Sequence, residues 1–348
     1  MTNKRALVTG VTGQDGSFLT KLLLDKGYEV FGTYRRLSSP NFWRLQYLNI
    51  YHKINLIPMD LGDSFSIANC IKIAKPDEVY HLAAQSFVDT SFIIPETTAN
   101  YVGLGTTRFL EAIKSFGTNC KFYFAGSSEM YGETGKQIKM LNEKSPFAPR
   151  SPYAIAKLHG YWTTCLYRTA YKMFTVNGIL FNHESPLRGI EFVTRKITNE
   201  VAKILIGESK GLKLGNLYAS RDWGFAPDYV EAMWQMLQQD EPSDYVIATG
   251  ESHTVLEFVE LAFKAVGMNY KDHVQVDERL QRPAEVDTLC GDSGLAHSEF
   301  GWKPNVNFSK LVSIMVEEDV KRWKRWINGE KFPWDAFNYP SEERIMRR

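Results

Sequence analysis

The chain has 348 residues, which at about 150 residues per domain is enough for two domains or one large one. Hydrophobic residues make up 44% and charged residues 23%, a balance that is typical of a globular protein and excludes a disordered or fibrous chain. The 41 basic and 40 acidic side chains leave a net charge of +1, so no overall field attracts nucleic acid, and an anionic ligand needs a local group of basic side chains.

Short apolar runs alternate with longer helical patterns through the first half of the chain. The predicted strands span residues 5–9, 29–34, 54–59, 78–82, 121–125 and 175–180. The predicted helices span residues 15–25, 64–73, 98–116 and 152–171. Because strands and helices alternate, right-handed crossovers should build one parallel sheet with helices on both faces. The first half therefore predicts a doubly wound α/β fold.

The regular alternation ends near residue 181. The later segments predict a polar loop at 182–189, helices at 192–207, 228–238, 255–266 and 309–326, a short strand at 246–248, and a charged irregular segment at 269–292. No Pro-, Gly- or Ser-rich linker separates these segments from the first half, so we expect a smaller C-terminal domain that is not a separate module.

A glycine-rich turn, residues 9–16, joins the first predicted strand to the first predicted helix. A turn in this position places the pyrophosphate of a dinucleotide on the N–H groups that open the helix. Its GxxGxxG spacing differs from the commoner GxGxxG, and glycines that serve only a tight turn are the alternative. We interpret the turn as a dinucleotide-binding site because the flanking elements have the required order.

The end of the second predicted strand carries arginines where NAD enzymes usually place an acidic residue for the ribose 2′-hydroxyl. Arg35, Arg36 and Ser38 lie in this segment. Guanidinium groups pair with a phosphate dianion, often through two hydrogen bonds at once. The sequence therefore favours NADP over NAD, with surface arginines as the alternative interpretation.

Tyr153 and Lys157 are four residues apart in a predicted helix, so their side chains share one face. A free phenol has a pKa of about 10 and is a poor base at neutral pH. A nearby ammonium group, together with an oxidised nicotinamide ring, would stabilise the phenolate and lower that pKa. After a glycine-rich strand–helix unit, the pair indicates a dehydrogenase-type site.

The glycine-rich turn and the Tyr153–Lys157 pair resemble the extended short-chain dehydrogenase/reductase family, and within it the nucleotide-sugar 4,6-dehydratases. Further matching segments are residues 127–132, 149–157, 182–186, 192–197, 221–224 and 282–287, so the resemblance spans about residues 4–308. It implies a Rossmann-type NADP-binding domain mainly over residues 1–181. It also implies a smaller α/β nucleotide-sugar-binding domain mainly over 182–328, with some interleaving, and a C-terminal tail at 329–348.

The sequence departs from the family pattern at three places. Ser127 stands where the family has threonine, which keeps the hydroxyl and loses a methyl group. Leu187 replaces the first of two arginines, so only Arg188 is assigned to the cofactor. The segment 269–282 is shorter than in many relatives, which leaves its contacts open.

The resemblance implies NADP as the cofactor, held mainly by the first domain. The positions that it assigns to NADP are Gly10, Thr12, Gly13, Gln14, Asp15, Arg35, Arg36, Ser38, Asp60, Leu61, Leu82, Ala83, Ala84, Gln85, Ser86, Tyr153, Lys157, His183 and Arg188.

The resemblance also implies a GDP-sugar substrate. The positions that it assigns to this substrate are Ser86, Ser127, Glu129, Asn182, Val193, Lys196, Leu214, Gly215, Arg221, Arg282 and Glu285. Among them, Arg221 and Arg282 are candidates for the diphosphate, because a pyrophosphate needs local positive charge in a nearly neutral protein. Glu285 would bind the ribose hydroxyls, and Val193 and Lys196 would contact guanine.

The expected reaction is the 4,6-dehydration of a GDP-hexose, from GDP-mannose to GDP-4-keto-6-deoxymannose. Its catalytic residues by resemblance are Ser127, Glu129, Tyr153 and Lys157. Tyr153 would deprotonate O4 during oxidation at C4, and Ser127 would assist. Glu129 would take the C5 proton and protonate the departing hydroxyl, after which the hydride returns to C6.

Glu129 separates this activity from its alternatives. An NDP-sugar C4 epimerase or reductase of the same fold needs Tyr153 and Lys157 but not the carboxylate. A non-catalytic NADP-sensing protein needs none of the three side chains. GDP-manno-heptose stays open as an alternative substrate for the same dehydration.

The remaining expectations concern location and partners. The four cysteines are scattered and have no metal-binding spacing, which indicates reduced thiols. No apolar run approaches the ~20 residues that cross a bilayer. We expect a soluble, cytoplasmic protein with no metal and no nucleic-acid or membrane partner, and the resemblance implies a homodimer or homotetramer.

Overall fold

The computed structural model describes residues 3–39, 41–117, 119–280, 288–330 and 334. Its strands are β1 (Arg5–Thr9), β2 (Glu29–Tyr34), β3 (Asn55–Pro58), β4 (Glu78–His81), β5 (Lys121–Ala125), β6 (Thr175–Leu180), β7 (Asn182–Glu184), β8 (Leu212–Leu214), β9 (Ser220–Arg221), β10 (Trp223–Phe225), β11 (Asp244–Ile247), β12 (His253–Thr254), β13 (Val274–Val276) and β14 (Thr288–Leu289). Seven of them form one sheet in the order β11-β6-β5-β4-β1-β2-β3, with every pair parallel. The predicted doubly wound parallel sheet is therefore confirmed.

The helices follow the predicted pattern closely. They are α1 (Gln14–Asp25), α2 (Trp43–Tyr47), α3 (Ser64–Ala74), α4 (Val88–Ile93), α5 (Pro95–Thr98), α6 (Gly105–Ser115), α7 (Pro152–Tyr171), α8 (Val193–Leu205), α9 (Ala226–Gln238), α10 (Val255–Lys264), α11 (Gly294–Phe300) and α12 (Phe308–Ile327). The helix predicted at 98–116 is correct only in part, because a π-helical segment, Ala99–Leu104, lies between α5 and α6. Within the described ranges, no helix is both long and apolar enough to cross a membrane.

Alternate residues of each sheet strand face two separate apolar cores, as the pleat of a strand requires. On β1, Leu7 faces the core that includes Phe109 of α6. Ala6 and Val8 face the opposite core, which includes Leu23 of α1 and residues of α9. Since both faces are covered, the strands read as continuous apolar runs, and this is why they were visible in the sequence.

The second half of the chain contributes to both parts of the molecule. β11 pairs with β6 at the edge of the large sheet, and α9 packs beside α1. A third apolar core lies among α8, α10 and α12, and the short strands β8 to β10 and β12 to β14 lie in this smaller α/β region. The predicted tail, residues 329–348, lies outside the described residues except at 329, 330 and 334.

The polar loop predicted at 182–189 is wrong at its first three residues. Asn182–Glu184 forms β7, which pairs in parallel with β10. Polar side chains hide this strand from an apolar pattern, although Glu184 is buried. Its hydrogen-bond partners come from a strand that lies forty residues further along the chain.

The start of α7 is fixed by its first residues. The Ser151 hydroxyl accepts a hydrogen bond from the N–H of Ala154 at 3.1 Å, and Pro152 occupies the first turn. Further along, a Cβ at Gly160 would lie 2.4 Å from the ring of Phe124 on β5, so glycine lets the helix approach the sheet. The helix is therefore held at a set position against β5.

Candidate active site

A cavity of about 630 Å³ lies at the carboxyl ends of the central strands. The candidate residues that line it are Gly10, Thr12, Gly13, Gln14, Asp15, Arg35, Asp60, Leu61, Leu82, Ala83, Ala84, Gln85, Ser86, Ser127, Glu129, Tyr153, Lys157, Asn182, His183 and Arg188. In open parallel sheets this edge, where neighbouring crossovers leave in opposite directions, is the usual ligand site. The structure thus brings the catalytic candidates and most cofactor candidates together.

The glycine-rich turn approaches the loop after β4 too closely for side chains. Gly10 has a φ of 70°, and a Cβ there would lie 2.9 Å from the Cα of Ala83. A Cβ at Gly16 would lie 2.3 Å from the carbonyl oxygen of Gly10. The turn therefore leaves the first N–H groups of α1 facing the cavity, a cradle that fits the pyrophosphate of a dinucleotide.

Thr9, which precedes the glycine-rich turn, also holds the loop after β4 in place. Its hydroxyl oxygen accepts hydrogen bonds from the N–H groups of Leu82 and Ala83, each at 3.0 Å, and lies 3.1 Å from Nδ1 of His81. Burial lowers the pKa of His81 to about 3, so the imidazole is neutral. Composition gave no sign of this histidine's role, because the contact depends on β1 and β4 being neighbours.

Asp15 and His183 join the start of α1 to β7. Oδ2 of Asp15 lies 2.9 Å from Nε2 of His183, and Nδ1 of that ring lies 2.7 Å from the carbonyl oxygen of Phe181. A carboxylate and a carbonyl can only accept, so both ring nitrogens carry protons and His183 is an imidazolium. Gln14 donates to Oδ1 of Asp15 at 2.9 Å and to the carbonyl oxygen of His183 at 3.1 Å.

The pKa values of this pair follow from the same contacts. Burial raises the pKa of Asp15, but the charge and hydrogen bond of His183 outweigh it and hold that pKa at about 2. Burial lowers the pKa of His183, but the Asp15 carboxylate outweighs it and the net shift is upward. The wall of the cavity therefore contains a buried pair in which each group stabilises the charged form of the other.

Ser127, Glu129, Tyr153 and Lys157 lie in one group on the cavity wall. The Ser127 hydroxyl accepts from the N–H of Glu129 at 3.3 Å, and the same side chain lowers the pKa of the Tyr153 phenol. Lys157 donates from Nζ to the carbonyl oxygen of Ala125 at 2.7 Å, and this nitrogen lies 5.9 Å from the centre of the Tyr153 ring. A phenol, a hydroxyl and a carboxylate thus surround one position where a sugar could react.

Burial dominates the ionisation of Tyr153 and Lys157. It raises the pKa of Tyr153 to about 12, to which the Glu129 carboxylate also contributes. It lowers the pKa of Lys157 to about 8. Without a nicotinamide ring, the lysine therefore does not make the phenol acidic. Tyr153 keeps its proton at neutral pH in the protein alone.

The residues at the end of β2 are divided between cavity and surface. Arg35 lines the cavity, whereas Arg36 and Ser38 are exposed and are not among its lining residues. Tyr101 also lines the cavity and donates to Oδ2 of Asp60 at 3.3 Å. Sequence reasoning missed Tyr101, Thr90, Ile94 and Thr97 in the wall, because only the fold places α4, α5 and the π-helical segment there.

The candidates for the guanine and diphosphate lie elsewhere. Val193, Lys196, Leu214, Gly215 and Arg221 belong to the smaller α/β region and do not line the cavity. The side chain of Arg221 is buried on β9 and donates to the carbonyl oxygen of Ser220 at 2.9 Å. Arg282 and Glu285 lie outside the described residues.

In the described part of the chain, no group of three or more His, Cys, Asp or Glu side chains is arranged to hold a metal ion.

Comparison with known proteins places this site in a family. A family model described as GDP-mannose 4,6 dehydratase matches residues 7–315. GDP-mannose 4,6 dehydratase 1 of Arabidopsis thaliana is 54% identical over 92% of this chain and 91% of its own length. The human GDP-mannose 4,6 dehydratase is 49% identical over 91% of each chain.

The fold has solved relatives as well. The UDP-glucose 4-epimerase of Thermus thermophilus, solved with NAD, superposes with a TM-score of 0.79 at 25% identity, over 90% of this chain and 98% of that one. The family model covers most of the chain, and the curated relatives agree with it. The chain therefore belongs to the GDP-mannose 4,6-dehydratase family.

Proposed function

We propose that this chain is a hydro-lyase that converts GDP-mannose to GDP-4-keto-6-deoxymannose with NADP as its cofactor. The family supports the dehydration of GDP-mannose. The observation that carries the mechanism is the position of Glu129 in the same wall as Ser127 and Tyr153. An epimerase or reductase of this fold has no use for a carboxylate at that place.

The cavity fits a nicotinamide dinucleotide. Gly10 and Gly16 leave room for a pyrophosphate at the start of α1, and Arg35 lies at the end of β2, where the 2′-phosphate of NADP would be bound. The solved epimerase relative holds NAD in the same fold. When bound, the nicotinamide ring supplies reversible hydride transfer.

Tyr153 takes the proton of the sugar O4 hydroxyl while C4 is oxidised. Ser127 lowers the pKa of this phenol, and its hydroxyl can donate a hydrogen bond to the same O4. Because burial holds the phenol protonated in the protein alone, formation of the phenolate depends on positive charge near the ring. Arg188 lowers the pKa of Tyr153, and Nζ of Lys157 lies 5.9 Å from the centre of its ring.

Glu129 performs the elimination. A C4 ketone makes the C5 proton removable, and the Glu129 carboxylate accepts this proton. The resulting carboxylic acid then protonates the C6 hydroxyl as it leaves, so one side chain carries the proton from C5 to the departing oxygen. Water is lost, the hydride removed from C4 is added at C6, and the proton that Tyr153 took from O4 restores the proton at C5, so the reaction has no net oxidation.

The smaller α/β region holds the GDP part of the substrate in this proposal. Arg221 and Arg282 bind the diphosphate, Glu285 binds the ribose, and Val193 and Lys196 contact guanine. Residues 1–181 then provide most of the cofactor site and residues 182–328 most of the nucleotide-sugar site. β11 and α9 are the interleaved exceptions, since they pack with the large sheet.

The proposed enzyme is a homodimer that pairs through α7. Ile155, Trp162 and Leu166 lie on one face of this helix and are 58%, 57% and 56% exposed. Leu104, in the π-helical segment packed beside α7, is 48% exposed. Large apolar side chains grouped on two neighbouring helices are typical of a protein–protein contact, and a second copy offers a matching face.

Glu129→Gln should stop dehydration but allow oxidation at C4, because only the later steps need the carboxylate. We expect the dehydration rate to fall by about 10²–10⁴-fold, the usual contribution of a general acid–base group. On mixing with GDP-mannose and NADP, the absorbance of reduced cofactor should accumulate. Glu133→Gln, which changes a nearby carboxylate that pairs with Arg150, is the matched control. Dehydration by Glu129→Gln at the parent rate would contradict the mechanism.

Replacing Arg35 and Arg36 together by Ala should weaken NADP binding far more than NAD binding. The two cofactors differ only by the 2′-phosphate, and a hydrogen bond to a charged group contributes about 1.5–3 kcal/mol. Dissociation constants measured for both cofactors check this, with Arg325→Ala, on α12, as a control for lost surface charge. An equal loss for NADP and NAD would place the two arginines in another role.

Lys157→Met should move the rise of activity with pH to higher values. Removal of the ammonium raises the pKa of Tyr153 further, so the phenolate forms later as the pH increases. Activity should return in part at high pH, whereas Tyr153→Phe should show no recovery. The measurement is a pH–rate profile at saturating NADP, with folding checked at each pH. A flat profile for Lys157→Met would mean that the lysine only positions the cofactor.

Trp162→Glu should turn the dimer into a monomer, because it puts a charge in the centre of the exposed face of α7. Ile327→Glu is the control, since Ile327 is 54% exposed on α12 in the smaller α/β region. Sedimentation velocity of both variants and the parent gives the answer. A parent monomer, or a dimer that survives Trp162→Glu, would refute this interface.

A further inference from the structure

Three consecutive carbonyl oxygens, of residues 186–188, are each bound by a guanidinium group. The first accepts from Nη1 of Arg195 at 2.9 Å and from Nη1 of Arg322 at 2.6 Å. The second accepts from Nε of Arg44 at 2.6 Å, and the third from Nη1 of Arg195 at 2.8 Å. All three arginines are buried. They come from α2, α8 and α12, so this short segment is held from three directions.

Two of these arginines have a shared anchor. The carboxylate of Asp319 on α12 is fully buried and accepts from Nε of Arg195, at 2.9 and 3.0 Å, and from Nη1 of Arg322 at 3.2 Å. It also accepts from the hydroxyl of Thr198 at 2.7 Å. These contacts tie α8 to α12 and act within the smaller α/β region.

Arg44 makes a different connection. While Nε donates to the carbonyl oxygen of Leu187, Nη1 donates to the carbonyl oxygen of Thr12 at 3.2 Å. Thr12 belongs to the glycine-rich turn and lines the cavity. The indole of Trp43 covers the guanidinium, with 4.5 Å from the guanidinium carbon to the ring centre. One buried side chain therefore joins the turn that opens α1 to the segment after β7.

The segment that Arg44 holds presents Arg188 to the cavity. The guanidinium of Arg188 lies over the ring of Phe192 at 3.6 Å and its Nε lies 3.2 Å from the carboxylate of Glu184. Arg188 lines the cavity and influences the ionisation of Tyr153 and His183. Its charge therefore acts at the reacting end of the site, and its position depends on the backbone that Arg44 fixes.

We propose that Arg44 is a positioning residue for the dinucleotide, which it affects by fixing the distance between the glycine-rich turn at Thr12 and the backbone that carries Arg188. This inference rests on the proposed function in one respect, that the cavity binds a nicotinamide dinucleotide. Both walls are then in place before the ligand arrives, so binding does not have to order them. Loss of Arg44 should weaken binding without removing any group that touches the reacting atoms.

The cofactor selectivity distinguishes this role from that of Arg35. Thr12 and Arg188 belong to the walls near the start of α1 and near Tyr153, not to the end of β2. Arg44→Met should therefore weaken NADP and NAD by the same factor. The KM for either cofactor should rise by a similar factor.

Arg168 provides a matched control within the same chain. Its Nε donates to the carbonyl oxygen of Thr175 at 2.8 Å, and its guanidinium pairs with Asp244. This contact lies at the amino end of β6, the opposite end of the sheet from the cavity. Arg168→Met thus removes the same kind of guanidinium–carbonyl contact at a place that no dinucleotide reaches.

The experiment measures dissociation constants for NADP and NAD by isothermal titration calorimetry, on the full chain. We expect Arg44→Met to raise both constants about tenfold, which corresponds to about 1.4 kcal/mol. Arg168→Met should leave both within about twofold of the parent, whatever its effect on Tm. Arg44→Lys keeps the charge but offers one nitrogen for two carbonyls, so both constants should rise about threefold.

Unchanged constants in Arg44→Met would overturn the inference, as would an equal rise in Arg168→Met. If Arg44→Met does not fold, Arg44→Lys decides in the same way, by a raised or an unchanged constant. A parent chain that binds neither NADP nor NAD would instead refute the proposed function. The two failures are therefore distinguishable.

Discussion

The site depends on β1 and β4 lying side by side in the large sheet. From this pair, β2 and β3 extend to one side and β5, β6 and β11 to the other, so the loops that follow β1 and β4 diverge. A crevice opens between diverging loops at the carboxyl edge of such a sheet. The lack of a side chain at Gly10 then lets the turn after β1 lie against Ala83. The other walls of the cavity are built around this contact between the turn after β1 and the loop after β4.

The burial that shields the reaction opposes the ionisation that the reaction needs. It raises the pKa of Tyr153 to about 12 and lowers that of Lys157 to about 8, which in each case favours the neutral form. Fixed positive charges are therefore needed to stabilise the phenolate, which burial disfavours. His183 cannot supply net charge, because Asp15 neutralises it in an ion pair. Arg188 remains positive at any relevant pH, so its position has direct consequences for the phenol.

The sequence predicted those elements whose side chains have a regular pattern. The buried strands of the large sheet are apolar on both faces, and α7 carries its own start signal at Ser151 and Pro152. β7 was missed because Asn182, His183 and Glu184 are polar, and they are polar because two of them line the cavity and the third binds Arg188. A strand whose polar side chains belong to a site therefore lacks the apolar pattern that predicts a strand.

Contacts between residues far apart in the sequence could not be predicted from local sequence patterns. Arg44 and Leu187 are separated by 143 residues, and a surface arginine in a polar segment has the same appearance as one that bridges two walls. Tyr153 and Lys157 were found by their spacing within one helix, whereas Ser127 and Glu129 were assigned by resemblance to the family. Residues that position them act through backbone carbonyls, which any sequence supplies, so only the fold reveals such partners.

The cross-links between the two halves of the chain suit a cofactor that is retained. In the proposed reaction the hydride taken from C4 is returned to C6, so the dinucleotide ends each turnover in its starting form. A rigid site suits such a group, because the entropy cost of ordering the site does not recur at each turnover. Gln14, Asp15 and Arg44 provide this rigidity by joining the start of α1 to the segment after β6. The GDP-sugar must enter and leave each time, and three of its candidate ligands, Val193, Lys196 and Arg221, lie in the smaller α/β region.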